Sequence, residues 1–135
     1  MEQQIVWGTA IFTPATDATI LDSAVGQNLL DTLLSHVQSA VGLAANMIGQ
    51  NKRIIVASDA GQTLLMYNPV ITKMSGKYST EEGCLSLDGT REVQRFRQIE
   101  VTWQDPQFKA QQAKFTGFMA EIIQHEIDHT NGIVI

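Results

Sequence analysis

Five consecutive residues, His125-Glu126-Ile127-Asp128-His129, carry the strongest chemical signal in the chain. They match H-E-x-x-H, in which two histidines one helical turn apart bind a divalent metal and the intervening glutamate handles protons. At 100° per residue, His125, Glu126 and His129 share one arc with Phe115, Phe118 and Ile122, whereas Glu121, Gln124, Asp128 and Asn131 fall opposite. Two imidazoles and a carboxylate on a core-facing arc need partners to offset their desolvation, and a metal supplies one. A catalytic metal takes about three protein ligands and keeps a position open. The six residues after His129 hold no His, Cys or carboxylate, so the third ligand is expected upstream, where His36 and Cys84 are the remaining His and Cys. Cys84 is the better choice. It lies in Glu82-Gly83-Cys84-Leu85-Ser86, where Gly83 permits close backbone approach and an extended context would project the thiol in a defined direction. His36 sits at the edge of an apolar helix stripe and reads as a satisfied, half-exposed histidine.

The elements that must position these groups can be traced by periodicity. Leu29, Leu30, Leu33, Leu34, Val37 and Val41 recur at three- and four-residue steps and predict a first helix, with Asp22 and Ser23 as its caps. Arg53 to Ala57 and Thr63 to Tyr67 read as a β-hairpin turning at Asp59-Ala60-Gly61. Further strands are expected around Glu82 to Leu87 and Ile99 to Trp103, the latter stopping before Asp105-Pro106. The motif-bearing helix is expected to begin near Thr116 and to stop at Asn131-Gly132, since glycine takes left-handed dihedrals without a Cβ penalty.

At 135 residues, the chain is expected to form one domain over 1–135, large enough to hold a core without disulfides. Nine Lys and Arg against fourteen Asp and Glu leave a net charge of −5, with no basic run, which gives no electrostatic reason to bind DNA or an anionic membrane surface. One cysteine excludes an intrachain disulfide, and with no secretory signal or apolar run of membrane-spanning length the expected location is the cytoplasm. The five methionines and the tryptophans Trp7 and Trp103 read as core fillers.

Three segments together resemble the peptide deformylases. They are Val41-Gly42-Leu43-Ala44-Ala45-Asn46-Met47-Ile48-Gly49, then Glu82 to Ser86, then Gln124 to His129 with Asn131-Gly132-Ile133 following. The resemblance covers nearly the whole chain from the first helix onward. It implies an α+β fold in which antiparallel sheets pack around a central helix bearing the HExxH motif, with Cys84, His125 and His129 holding the metal. It also implies ferrous iron as the physiological ion, with zinc, nickel or cobalt able to occupy the site, and removal of formyl from N-formylmethionyl nascent peptides. Glu126 would move the proton toward the departing amine, and the amide of Leu85 would donate to the developing oxyanion. Glu82 and Arg95 correspond to a pair that steadies the cysteine-bearing segment, although a solvated edge-strand charge is the other reading of Arg95. A transient contact with the ribosome stays open.

Two departures stand out. The family usually ends its first motif with a glutamine whose side chain donates to the oxyanion, whereas this chain has Asn46-Met47, and methionine cannot donate. Gly42, Asn46, Met47 and Gln50 mark the substrate and oxyanion region, with Asn46 and Gln50 as substitute donors. Many relatives also continue past the third motif with a tail not seen here. Beside an active deformylase stand two other readings: a catalytically weak paralogue that binds metal and peptide N-termini, and a general metalloprotease, which the upstream cysteine disfavours.

Overall fold

Ile54-Ile55-Val56-Ala57 is a continuous apolar run, and all four residues are buried, because both helices of the molecule contact the strand that contains them. In the computed structural model, which describes residues 1–135, five strands form one antiparallel sheet in sequence order: β1 (Gly42–Ala44), β2 (Ile54–Asp59), β3 (Gln62–Gly83), β4 (Thr90–Gln104) and β5 (Ala110–Thr116). The helices are α1 (Ser23–Leu34) and α2 (Gly117–Thr130). The fold is α+β, as expected, but with one sheet in place of several.

That sheet nevertheless has two wings. Residues 62–67 of β3 pair with β2, and the remainder, from Tyr67 to Gly83, pairs with β4. The wings meet where the register slips between Tyr67 and Val70 and Asn68 adopts a φ of +53°. Asn68 is fixed there by its side chain, which accepts from Ala18 N at 2.7 Å and donates to Ala18 O at 2.9 Å. The β2–β3 hairpin turns on Ala60 and Gly61, both at positive φ, the geometry that matches the twist of the flanking strands.

Three expectations require correction. Trp7, Met1 and Met74, read as core fillers, are exposed. The first helix ends at Leu34: Leu29 and Leu33 are buried, but Val37 and Val41 lie beyond its end and are exposed. Beyond Leu33 the chain tightens into three-residue turns, with His36 N donating to Leu33 O and Ser39 N to His36 O. Asp22 does occupy the N-cap position, but its carboxylate accepts from Thr19 N and offers α1 no side-chain bond. The strand expected over Glu82 to Leu87 stops at Gly83, and Cys84 to Leu87 is a turn closed by Leu87 N donating to Cys84 O at 3.1 Å.

α1 is tied down by Tyr67, whose hydroxyl donates to Ser23 O at 3.3 Å. Gly26 makes this possible, because a Cβ there would lie 1.8 Å from the Tyr67 hydroxyl. α2 contacts β1, β2, β4 and β5, and ten of its fourteen residues are buried. One hydrophobic cluster of 24 residues joins both helices and the sheet. No helix is long and apolar enough to cross a membrane.

Candidate metal centre

The end of α2 sets the first ligand geometry. Gly132, at φ +80°, lets the chain reverse so that Ile133 N donates to Asp128 O at 2.9 Å, and this places the Ile133 carbonyl 3.3 Å from His129 Nδ1. One turn earlier, His125 Nδ1 meets Glu82 Oε1 at 2.7 Å. With both Nδ1 atoms engaged, the two Nε2 atoms face each other at 2.9 Å. Cys84, leaving the turn after β3, completes a cluster whose three ligand atoms all lie within 4.8 Å of one another. Ligands around a tetrahedral zinc-sized ion stand roughly 3.3 to 3.7 Å apart, so this donor set fits one divalent ion with little movement. His36 takes no part: its Nδ1 lies 2.8 Å from Thr32 O, back along α1.

The electrostatics agree. Burial opposes charge on both rings, yet hydrogen bonds with Cys84 and Glu82 hold the His125 imidazole up at about 10, while burial and the charged His125 push His129 down to about 3. Without metal the pair thus keeps a proton at His125 and none at His129, and a bound cation would take that proton's place.

Glu82 is itself held by two residues, His125 and Arg95. Arg95 donates to it from Nη2 at 2.7 Å and from Nε at 3.0 Å, and Arg95 Nη1 reaches Asp128 Oδ2 at 2.7 Å. Arg95 is only 4% exposed, so it is no solvated edge charge. Although burial raises the carboxyl of Glu82, the bonds from His125 and Arg95 outweigh it and hold Glu82 down at about 2. An anionic Glu82 fixes the His125 tautomer and makes it a better ligand.

Beside the ligands lies a cleft of about 490 Å³, lined among others by Val41, Gly42, Met47, Leu85, Phe118, Ile122 and Glu126. Glu126 is 4% exposed, its Oε1 has no hydrogen-bond partner, and burial pushes its carboxyl up to about 7. Gly42 is the residue that gives it room: a Cβ there would stand 2.8 Å from Glu126 Oε2 and 2.7 Å from Ile122 Cγ2. The amide of Leu85 donates to no backbone or side-chain acceptor and belongs to a residue on the cleft wall.

Not every expected residue reaches the cleft. Met47 lines it, with Sδ accepting from Ala44 N at 3.5 Å, but Asn46 and Gln50 do not. Asn46 is buried and spends its amide on the carbonyl of His129 at 2.8 Å, and Gln50 is exposed outside the cleft. Neither can replace the missing donor. The opposite arc of α2 is not a solvent face either, because Gln124 donates to Phe96 O at 2.9 Å and accepts from Phe96 N at 2.8 Å. Phe118, placed on the core arc, is 49% exposed at the cleft wall.

Three contributors had no signal in the sequence. Phe12 stacks on His129, with ring centroids 4.3 Å apart and planes at 21°. Asp128 anchors Arg95. Glu121 lines the cleft, its carboxyl raised to about 7 by burial and by the neighbouring Glu82.

An HExxH helix whose histidines meet a third ligand, beside a buried carboxylate and an open cleft, defines a metal-dependent hydrolase. The polypeptide deformylase family matches residues 7–135. A peptide deformylase of Clostridium beijerinckii is 49% identical over 119 residues, covering 88% of each chain, and peptide deformylase 3 of Shewanella oneidensis is 39% identical over 115 residues, covering 80% of this chain and 71% of that protein. The crystal structure of peptide deformylase from Thermotoga maritima superposes with a TM-score of 0.88 at 25% identity, over 99% of this chain and 95% of that one. The actinonin-bound class I type b enzyme from Acinetobacter baumannii gives 0.87 at 27% identity, over 99% and 95%. The chain belongs to the peptide deformylase family.

Proposed function

We propose that this chain, acting as one domain built on α2 as its central element, removes the N-formyl group from N-formylmethionyl nascent peptides in the cytoplasm. The observation that carries the reading is the convergence of Cys84, His125 and His129 on one point beside a buried Glu126 with a free carboxylate oxygen. A passive metal- or peptide-binding role does not require that carboxylate, so the weak-paralogue reading is not favoured. Thiolate and imidazole donors suit ferrous iron, zinc, nickel or cobalt, and ferrous iron is the proposed physiological ion. Nascent chains emerge from the ribosome, and a transient contact there is the partner this substrate implies.

A divalent ion held by Cys84, His125 and His129 would polarise the formyl carbonyl and acidify water beside it. Glu126 then takes the proton from the attacking water and delivers it to the departing amine nitrogen, with Oε1 free of any protein bond. Leu85 N–H donates to the oxygen as negative charge develops there. Glu82, clamped by Arg95, keeps His125 oriented through Nδ1. Gly42 leaves the space in which the Glu126 carboxylate sits.

The test uses anaerobically prepared protein loaded with ferrous iron and three peptides: formyl-Met-Ala-Ser, its acetyl counterpart, and an N-blocked peptide with only internal bonds. The wild type should cleave the first alone, and Glu126→Gln should retain metal while losing at least about 10³-fold in kcat. Cleavage of internal bonds, or full activity in Glu126→Gln, contradicts the assignment.

A further inference from the structure

The two histidine ligands are held in different ways. His125 is fixed by a carboxylate at 2.7 Å, itself locked by a buried guanidinium. His129 has only the Ile133 carbonyl at 3.3 Å on its Nδ1, a weak bond at that distance, and no carboxylate. What covers the face of its ring is Phe12, 6% exposed and nearly parallel to it.

The segment that carries Phe12 is anchored on both sides of the site. Gly8 N donates to Ser86 O at 2.8 Å, two residues after Cys84, and Ala15 N donates to Thr130 O at 2.8 Å, one residue after His129. Pro14 forms a bridge with Asn131, and Gly132 is packed so tightly on Pro14 that a Cβ there would stand 2.9 Å from its ring. Residues 8–15 therefore span from the turn that carries Cys84 to the end of α2 that carries His129, with Phe12 between the anchors. An imidazole whose Nδ1 is held only by a weak hydrogen bond could rotate about its χ2 and swing Nε2 away, and a stacked ring pinned at both ends of its segment opposes that rotation.

We infer that Phe12 is a positioning residue for the metal ligand His129, and that the face of its ring, rather than its bulk, governs how long the site retains its ion. This rests on the metal centre described above. It acts through His129 and touches neither substrate nor reacting atoms.

The experiment follows release of cobalt from the loaded full-length protein into a chelator, together with its visible ligand-field bands. Phe12→Leu and Phe12→Met keep apolar volume and lose the ring face, whereas Phe12→Tyr keeps the face. Release should quicken about 10-fold in the Leu and Met variants, the upper end of what one aromatic stack is worth, with altered cobalt bands. The Tyr variant should stay within about threefold of the wild type. Thermal melting of the metal-free proteins separates this effect from general loosening, because a purely structural role would lower Tm in proportion without changing the cobalt bands. Unchanged release and bands in a folded Leu or Met variant overturn the inference alone. A wild type that binds no cobalt overturns it together with the metal centre.

Discussion

Met47 offers the sharpest perturbation, because it stands on the cleft wall at the family's glutamine position while offering no donor. Met and Gln have similar length and shape, so Met47→Gln should fit a site that is only 2% exposed. The present side chain already accepts from Ala44 N through Sδ at 3.5 Å. In the variant Oε1 can take over that bond, which orients Nε2 and its two hydrogens away from β1 and toward the cleft. One oxyanion donor is worth roughly 2.7 to 4 kcal/mol, or 10²- to 10³-fold in kcat. Against this stands about 1 kcal/mol for burying an amide hydrogen that has no partner before substrate arrives. The expected net gain is up to about 10²-fold in kcat on formyl-Met-Ala-Ser, with metal content measured in parallel. Asn46 and Gln50 leave the position open, the first being committed to His129 O and the second exposed outside the cleft. An unchanged kcat at full metal occupancy would refute the reasoning. So would a gain confined to KM, since that places the new amide against the bound ground state rather than the transition state.

Other substitutions probe the same architecture. Gly42→Ala should force Glu126 Oε2 back by roughly 0.6 Å to reach contact distance, cutting kcat by about 10²-fold while leaving metal in place; wild-type kcat in the variant would show that the carboxylate yields freely. Cys84→Ala should lose most of its metal by elemental analysis, whereas His36→Ala, altered on the far side of α1's last turn, should retain it. Glu82 is held below its ordinary pKa of 4.5, at about 2, so its contribution to stability is complete above 4.5 and is lost as pH falls through 2. Calorimetry of the metal-free protein should show Tm falling across that window, and Glu82→Gln should flatten the dependence while costing about 1.5–3 kcal/mol near neutrality, since Arg95 loses one of its two carboxylate partners and keeps Asp128.

The chemistry was more legible than the scaffold. H-E-x-x-H and the lone cysteine stand out because metal ligation tolerates few residue types, and the hairpin turn and the stop at Gly132 show through local backbone demands. The far half of β3 did not show, since Pro69 to Glu81 is largely exposed, interrupted by Gly76, and held as strand by a ladder to β4 rather than by its own alternation. Periodicity carries the first helix too far because Val37 and Val41 keep the helical spacing although they lie on an exposed loop. Phe12 lies more than a hundred residues from the ring it covers, and nothing in Thr9 to Pro14 marks it. Gln124 looked solvent-facing because a glutamine that serves as a surrogate for backbone leaves no trace in hydrophobic periodicity.

That glutamine bears on the behaviour of the protein in a crowded solution. β5 pairs with β4 only from Gln98 onward, so the stretch of β4 before it presents an unaccompanied border. An open strand border invites a second chain to add itself, the first step toward aggregates. Here the amide of Gln124 occupies both backbone groups of Phe96, and Arg91, Glu92 and Arg97 put charge along the same stretch. The helix that carries His125 and His129 therefore also covers this border of the sheet. A change that loosens α2 would expose a sticky border along with a lost active site, and insolubility would accompany inactivity.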